Sequence, residues 1–385
     1  MKGTGFTWVG TDLVYKLSMP GGSCEKMVKS VLAGAEPGYG KGVDREADLE
    51  TSIEIGQIAA ICEDFEQIRA EMADAASYDH DMSINHEQWM AQHRRIYKSN
   101  EEKEKRFKVF KDNVEYIERF NRAANNTYEL GINEFADLTN EEFLAKYTGH
   151  SMPSFQTSST TSFMYEKVKA VPASLDWRKR GAVTPVKNQE QCGSCWVFSA
   201  VAVIEGIVQI KTGKLVSLSE QQVLDCISTS DGCNGGWTEQ VFEFVKKNRG
   251  LASDTNYPYR AKKGTCSNIK SSSLATMITG HHHVPKNNER ALLRAVAKQP
   301  VSVSLDASRF QFYKSGILTG KCGTEPIHVA AAVGYGKSED GTKYWIFKNS
   351  WGPSWGENGY IRLQRNIKAK EGMCGIAMHA TYPTT

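Results

Sequence analysis

Three kinds of hydrophobic pattern divide this chain. From Glu102 a stripe recurs at steps of three and four, through Arg106, Val109, Phe110, Asn113, Ile117 and Asn121, which predicts one long helix with a marked face. Trp196-Val197-Phe198-Ser199-Ala200-Val201 is too uniformly apolar for a surface helix and predicts a buried one. The Val- and Ala-rich run Pro326–Gly336, ended by glycines, and the aromatic run Lys343–Gly352 predict two buried strands that pair as a hairpin. Two stretches lack a pattern. Residues 150–170 are rich in Ser and Thr, the composition of an exposed, flexible linker where cleavage is easiest. Residues 1–75 are Gly-rich early and acidic later, without the apolar run of about 7–15 residues that a secretory signal carries.

The candidate chemistry gathers where the buried helix begins. Cys192-Gly193-Ser194-Cys195-Trp196 puts Cys195 on a tight turn at a helix start, where unpaired N–H groups carry partial positive charge and favour a thiolate. A thiolate nucleophile needs a histidine to hold and move its proton, and a third group to orient that ring. His328 lies on one predicted strand and Asn349 on the other. Pairing the strands brings an amide oxygen near the imidazole N–H, with a large indole to keep water off the bond. Each residue alone has a plainer reading: a half-cystine, a core histidine, a turn asparagine. Their order, at 133 and 154 residues after Cys195, favours a catalytic set.

These motifs resemble the papain family of cysteine proteases, nearest its plant cathepsin-L-like members, over about residues 79 to 385. The resemblance implies an α+β fold of two lobes, one helical and one a small β-barrel, preceded by a helical propeptide domain. It assigns 1–78 to an atypical extension, 79–149 to an inhibitory propeptide and 150–170 to a linker with the cleavage site. The peptidase is then 171–385, with cleavage close to Ala170-Val171. Implied helices run from Cys195 to about Lys211, ended by Gly213, and near Ser219–Cys226 and Thr238–Asn248. Implied strands lie near Val301–Leu305, His328–Gly334, Lys343–Asn349 and Gly359–Arg365. Glu102, Arg106, Phe110, Asn113, Ile117 and Asn121 match one propeptide signature, and Gly131, Asn133, Phe135 and Asp137 a second.

By position, the resemblance makes Cys195 the nucleophile, His328 the general base and acid, Asn349 the orienter and Gln189 the oxyanion-hole amide. Trp351 becomes the indole that shields the His–Asn contact. Gly235 and Gly236 fall on the strip that binds an extended peptide backbone. Trp237, Ser304, Pro326, Ile327 and His379 fall on the pocket for the substrate side chain second before the scissile bond, which implies a hydrophobic preference. His379 either closes that pocket or turns cationic in acid and admits an acidic side chain; the first reading is preferred. The disulfides Cys192–Cys233, Cys226–Cys266 and Cys322–Cys374 are implied by the resemblance alone. Glu190 departs from it, standing where the family usually has glycine, and predicts a different turn after Gln189. Ile327 departs too, standing where some relatives carry Asp. The expected activity is that of a cysteine endopeptidase made as a zymogen and working through a Cys-His-Asn acyl-enzyme. Expected partners are protein and peptide substrates, its own propeptide as inhibitor, and cystatin-type inhibitors; a monomer in a vacuole or lysosome, or secreted, is implied. Protonation of Asp137 and the carboxylates around Glu134 is expected to loosen the propeptide in acid. Two other classes stand beside it: a catalytically weak, inhibitor-like homologue, a class that usually loses the nucleophile present here, and an acyl transferase acting as a peptide ligase, whose residues would be identical.

Composition adds exclusions. A net charge of +3 with 24% charged residues carries no nucleic-acid footprint. No apolar run approaches the roughly 18 residues of a membrane span. Six of nine cysteines in disulfides imply an oxidising compartment. Zinc ligation needs a second close Cys pair to match Cys192 and Cys195, and none is present, so neither a metal nor a cofactor is expected. His281-His282-His283 would alternate faces on a strand and reads as a solvated, titrating patch. Asn125-Asn126-Thr127 is a glycosylation acceptor within the pro-segment. Gly38-Tyr39-Gly40-Lys41-Gly42 is too weak for a phosphate loop.

Overall fold

The computed structural model describes residues 45–149, 163–267, 274–276 and 278–385, with backbone alone for 45–59, 61, 62, 65 and 274–276. Cys24, the side chain of Cys62, Gly38–Gly42 and most of the linker lie outside what is described. Two compact units divide the chain, 1–95 and 96–385. In the first, α1 (Arg45–His93) is a long, mostly polar helix that leaves Ile68 and Met72 exposed.

The second unit opens with the marked helix, α2 (Asn100–Arg122). Ser99 caps it by accepting the Glu102 N–H, acidic residues fill its first turn and arginines its last, and Phe110, Val114 and Ile117 form its buried stripe. A short strand, β1 (Tyr128–Leu130), and the helix α3 (Asn140–Tyr147) follow. A capping box starts α3: Thr139 and Glu142 each accept the other's backbone N–H.

After β2 (Leu175–Asp176) comes α4 (Cys195–Thr212), ended by Gly213 at φ 74°. This helix is long and apolar enough to cross a membrane, which corrects the expectation that no such run exists. Ser199 and Glu205 mask the run in sequence, yet both lie inside the protein, and α4 is a core helix with 13 of its residues buried. The Glu205 carboxylate accepts from Thr184 at 2.6 Å and pairs with Lys187 at 3.2 Å, so its charge is not buried alone. Helices α5 (Glu220–Cys226) and α6 (Thr238–Asn248) pack near α4. A two-stranded sheet, β3 (Leu251–Ala252) with β4 (Leu274–Thr276), stands apart.

The main sheet adds β5 (Gly280–His283), then, after α7 (Glu289–Val296), β6 (Val301–Leu305), β7 (Tyr313–Leu318), β8 (His328–Lys337), β9 (Lys343–Lys348), β10 (Tyr360–Gln364) and β11 (Ala380–Thr384). Its order is β1-β7-β10-β9-β8-β6-β11-β5, with β2 on β8. Among the described strands, only β7 and β10 run parallel. The predicted β8–β9 hairpin forms, with Ala331 opposite Lys348 and Ala332 opposite Phe347. Strands β7 and β11 escaped the sequence reading because Gly316 and Pro383 break an apolar alternation. The edge strand β1 comes from the segment ahead of residue 171 and extends the sheet by pairing with β7. Disulfides join Cys192 to Cys233, Cys226 to Cys266 and Cys322 to Cys374. Each closes a loop of 40 to 52 residues, a restriction of the unfolded chain that contributes about 3–4 kcal/mol.

Candidate active site

Cys195 is the first residue of α4, fully buried and outside the disulfides. The turn before it is fixed by its own polar groups: the Ser194 and Tyr259 hydroxyls lie 2.8 Å apart, and Tyr259 donates to the Gln189 carbonyl at 2.9 Å. His328, the first residue of β8, is likewise buried, and its Nε2 lies 2.8 Å from Asn349 Oδ1. The Ser350 N–H also donates to that oxygen, at 2.9 Å, holding the amide in place. The Trp351 indole lies over the imidazole, with ring centres 4.6 Å apart.

Gln189 completes the group. Its side-chain oxygen accepts from Ser350 at 2.5 Å, and its Nε2 donates to the Cys192 carbonyl and to the Tyr147 carbonyl, each at 3.0 Å. Trp351 Nε1 donates to the same Tyr147 oxygen at 3.0 Å. One backbone carbonyl therefore takes both donors. Two residues on, the Gly149 backbone N–H reaches the Cys195 sulfur, as does that of Val329. The crossing is tight. A Cβ on Gly193 would sit 2.8 Å from Gly149 Cα and 2.4 Å from the Cys233 carbonyl, so only glycine lets the two backbones pass. Burial pushes the Cys195 thiol up to about 11, outweighing the backbone N–H groups that favour its anion. The helix start alone predicts the opposite shift; burial reverses it.

Glu190 stands in the turn that its side chain was expected to change. It adopts φ 53°, the conformation that suits glycine, and its N–H donates to Asn188 Oδ1 at 2.8 Å. Gln189 stays buried and held from both ends of its amide.

Around this centre, Gly235 has φ 135°, and a Cβ on Gly236 would meet the Trp196 ring at 2.6 Å. Of the expected pocket residues, Ser304 is buried on β6 and donates its N–H to the His379 carbonyl at 2.9 Å. Trp237 meets His379 edge to face at 5.7 Å, while Pro326 and Ile327 are half-buried just before His328. His379 Nε2 lies 2.9 Å from Glu239 Oε1, a partner that the sequence reading missed. Burial raises the Glu239 carboxyl, but the hydrogen bond and charge of His379, with His283, outweigh it and bring it down to about 2.

The propeptide signatures resolve into a scaffold. Asn113 donates to the Ala136 and Leu138 carbonyls, Asn121 both donates to and accepts from Leu130, and Asn133 donates to the Gln311 carbonyl. Phe135 packs within 4.6 Å of Tyr147 and 6.0 Å of Trp351, measured between ring centres. Arg106 donates to the Asp137 carbonyl and pairs with Glu142 at 2.6 Å, while the Asp137 carboxylate accepts from Tyr97. The partner of Arg106 is thus Glu142, a residue absent from the expected acid-sensitive set. The Thr139-x-x-Glu142 capping spacing was the available signal.

A helix-borne thiol, a strand-borne imidazole on an amide, and a stretch of the same chain laid across both define a cysteine peptidase precursor. A profile described as papain family cysteine protease matches residues 171–384, and one described as cathepsin propeptide inhibitor domain (I29) matches 86–143. The senescence-specific cysteine protease SAG39 of Oryza sativa subsp. indica is 52% identical over 80% of this chain and 92% of its own length. Vignain of Vigna mungo is 54% identical over 77% and 84%. Among solved structures, a recombinant stem bromelain precursor superposes with TM-score 0.71 at 49% identity, covering 79% of this chain and 99% of its own. The proform of the ragweed pollen allergen cysteine protease Amb a 11 gives 0.72 at 44%, covering 79% and 94%. The chain belongs to the papain family of cysteine proteases and carries its inhibitory propeptide domain.

Proposed function

We propose that this chain is the zymogen of an endopeptidase that cleaves peptide bonds through an acyl-enzyme on Cys195, with residues 171–385 as the mature enzyme. His328 takes the thiol proton, Cys195 Sγ attacks the substrate carbonyl, and His328 returns the proton to the leaving amine. Asn349 holds the imidazole in orientation. Gln189 Nε2, with the Cys195 N–H, stabilises the oxyanion where it develops. Water then attacks the thioester, with His328 as base, and frees the acid.

The observation that carries this reading is the Tyr147 carbonyl on Gln189 Nε2, with the Gly149 N–H at Cys195. A peptide carbonyl occupies an oxyanion donor while the neighbouring backbone touches the nucleophile, the placement of a substrate mimic. The half-buried, largely apolar set Trp237, Pro326 and Ile327, with Ser304 and His379, supports hydrophobic side chains at the second position before the scissile bond. Glu239 beside His379 disfavours an acidic one there, because the imidazole already faces a carboxylate. Three disulfides and acid-sensitive pro-segment pairing suit a vacuolar, lysosomal or secreted enzyme.

Incubating the precursor at pH 4.5 with a reductant, and assaying a Phe-Arg peptide substrate with and without a thiol-directed epoxide, tests the proposal. Activity should appear with cleavage near Ala170-Val171, vanish with the epoxide, and fall by about 10⁴-fold or more in Cys195→Ala. A processed, folded protein without turnover would overturn it. Equal activation rates at pH 7 and pH 4.5 would refute the acid trigger.

A further inference from the structure

The tract His281-His282-His283 is β5, and it is not the solvated patch expected from sequence. Its residues are half-buried, and strand alternation separates their faces. His282 turns to Tyr382, with ring centres 6.0 Å apart. His281 and His283 share the other face, where α6 presents Glu243 and Glu239. His283 Nδ1 lies 3.6 Å from Glu239 Oε1, and His379 Nε2 lies 2.9 Å from the same oxygen. The ligand-type atoms of Glu239, His283 and His379 all fall within 4.8 Å of one another.

We propose that Glu239, His283 and His379 form a binding site for a divalent transition ion of the zinc class. Two imidazoles and one carboxylate make a donor set that zinc accepts, leaving a fourth position for water. Tetrahedral bonds of about 2.0–2.2 Å place neighbouring ligand atoms roughly 3.3–3.6 Å apart, so rotamer-scale movement suffices. The three ligands come from three elements: the second residue of α6, the end of β5, and the residue just before β11. Each is restrained. The His283 and His379 side chains keep 20% and 13% of their exposure, enough for an ion to enter and too little for free rotation. The neighbouring Glu243 adds negative charge at the rim, and Lys246 one positive charge. None of the three ligands belongs to the proposed catalytic set, and the site holds whether or not His379 lines the substrate pocket.

The full-length precursor carrying Cys195→Ala, which removes both processing and a competing thiol, is dialysed against Zn²⁺ at pH 7.5. His283→Ala and His379→Ala should each lose one bound equivalent or weaken it at least about tenfold, while His282→Ala keeps it. At pH 4.5 the same equivalent should be lost as protons displace the ion. A measurement without ligand substitutions stands beside it: Zn²⁺ should protect His283 and His379 from diethyl pyrocarbonate, mapped by mass spectrometry. Zinc uptake unchanged by both histidine substitutions, or equal modification of the two rings with and without Zn²⁺, would overturn the site.

Discussion

The pro-segment's contacts with the peptidase at the sheet edge and at the cleft differ in kind. At the edge of the sheet, β1 pairs with β7, and the Ile317 and Gly131 N–H groups extend the ladder. Gln311 donates to the Phe135 and Leu138 carbonyls there, and Asn140 donates back to Gln311. That contact uses side chains, aromatic packing and regular backbone bonds. At the cleft Phe135 and Phe143 pack on the Trp351 ring, but what reaches Gln189 and Cys195 is backbone: a carbonyl on Gln189 and Trp351 and an N–H on Cys195. The difference separates two tasks. The edge supplies the hold, and the crossing supplies the block. A segment held elsewhere needs only backbone atoms at the reacting centre, and so can lie there without the sequence of a good substrate.

Substitutions should pull these tasks apart. The largest effect belongs to the crossing: Gln189→Ala should lower kcat/KM of the mature enzyme by about 10²–10³-fold, with the pH of activation little changed. An unchanged rate would remove Gln189 from the oxyanion role. Gly316→Ala attacks the hold. Gly316 has φ 98°, and a Cβ there would sit 2.5 Å from the Thr127 carbonyl oxygen and from Tyr128 Cα. Its precursor should leak activity at neutral pH, with the pro-segment held about tenfold or more weakly, while the processed enzyme keeps its kcat. Leakage equal to the parent would show that β1 pairing does not contribute to inhibition.

A smaller effect concerns acid. Arg106 pairs with Glu142 inside the pro-segment and holds that carboxyl below its ordinary value of 4.5. A lowered folded value stabilises the pro-segment above the ordinary carboxylate range, and this is lost as pH falls through and below about 4.5. Glu142→Gln should therefore activate at a higher pH than the parent, read as the midpoint of activity against preincubation pH. An identical midpoint would place the trigger elsewhere. The smallest effect is at Glu190. Glycine there removes left-handed strain at the crossing, for a gain of up to about 1 kcal/mol in stability, and should leave the activation pH untouched.

Side-chain chemistry was legible in the sequence where it sits at a turn or a strand end: Cys195, His328 and Asn349 mark themselves by neighbours and order. The polar stripe Arg106, Asn113 and Asn121 was legible as periodicity, because a helix spaces its partners regularly. Tyr147 was not, since its contribution is a backbone carbonyl and no side-chain pattern reports where that oxygen points. Glu239 was not, because it meets His283 and His379 only once α6, β5 and β11 come together. Gly316 could have been read as a site of close backbone approach within a strand. Glu142 could have been read from its capping box. The lowered thiol expected at Cys195 failed for a physical reason: a helix start favours the anion only while water or donors outweigh burial.

The most direct test of this division is the reactivity of one sulfur. The intact precursor is treated with a small thiol alkylating agent at neutral pH, beside the processed enzyme at the same pH, and modification of Cys195 is quantified by mass spectrometry. A crossing that covers and neutralises the thiol predicts slow labelling in the precursor and fast labelling once the pro-segment is gone. Equal rates in the two forms would contradict it.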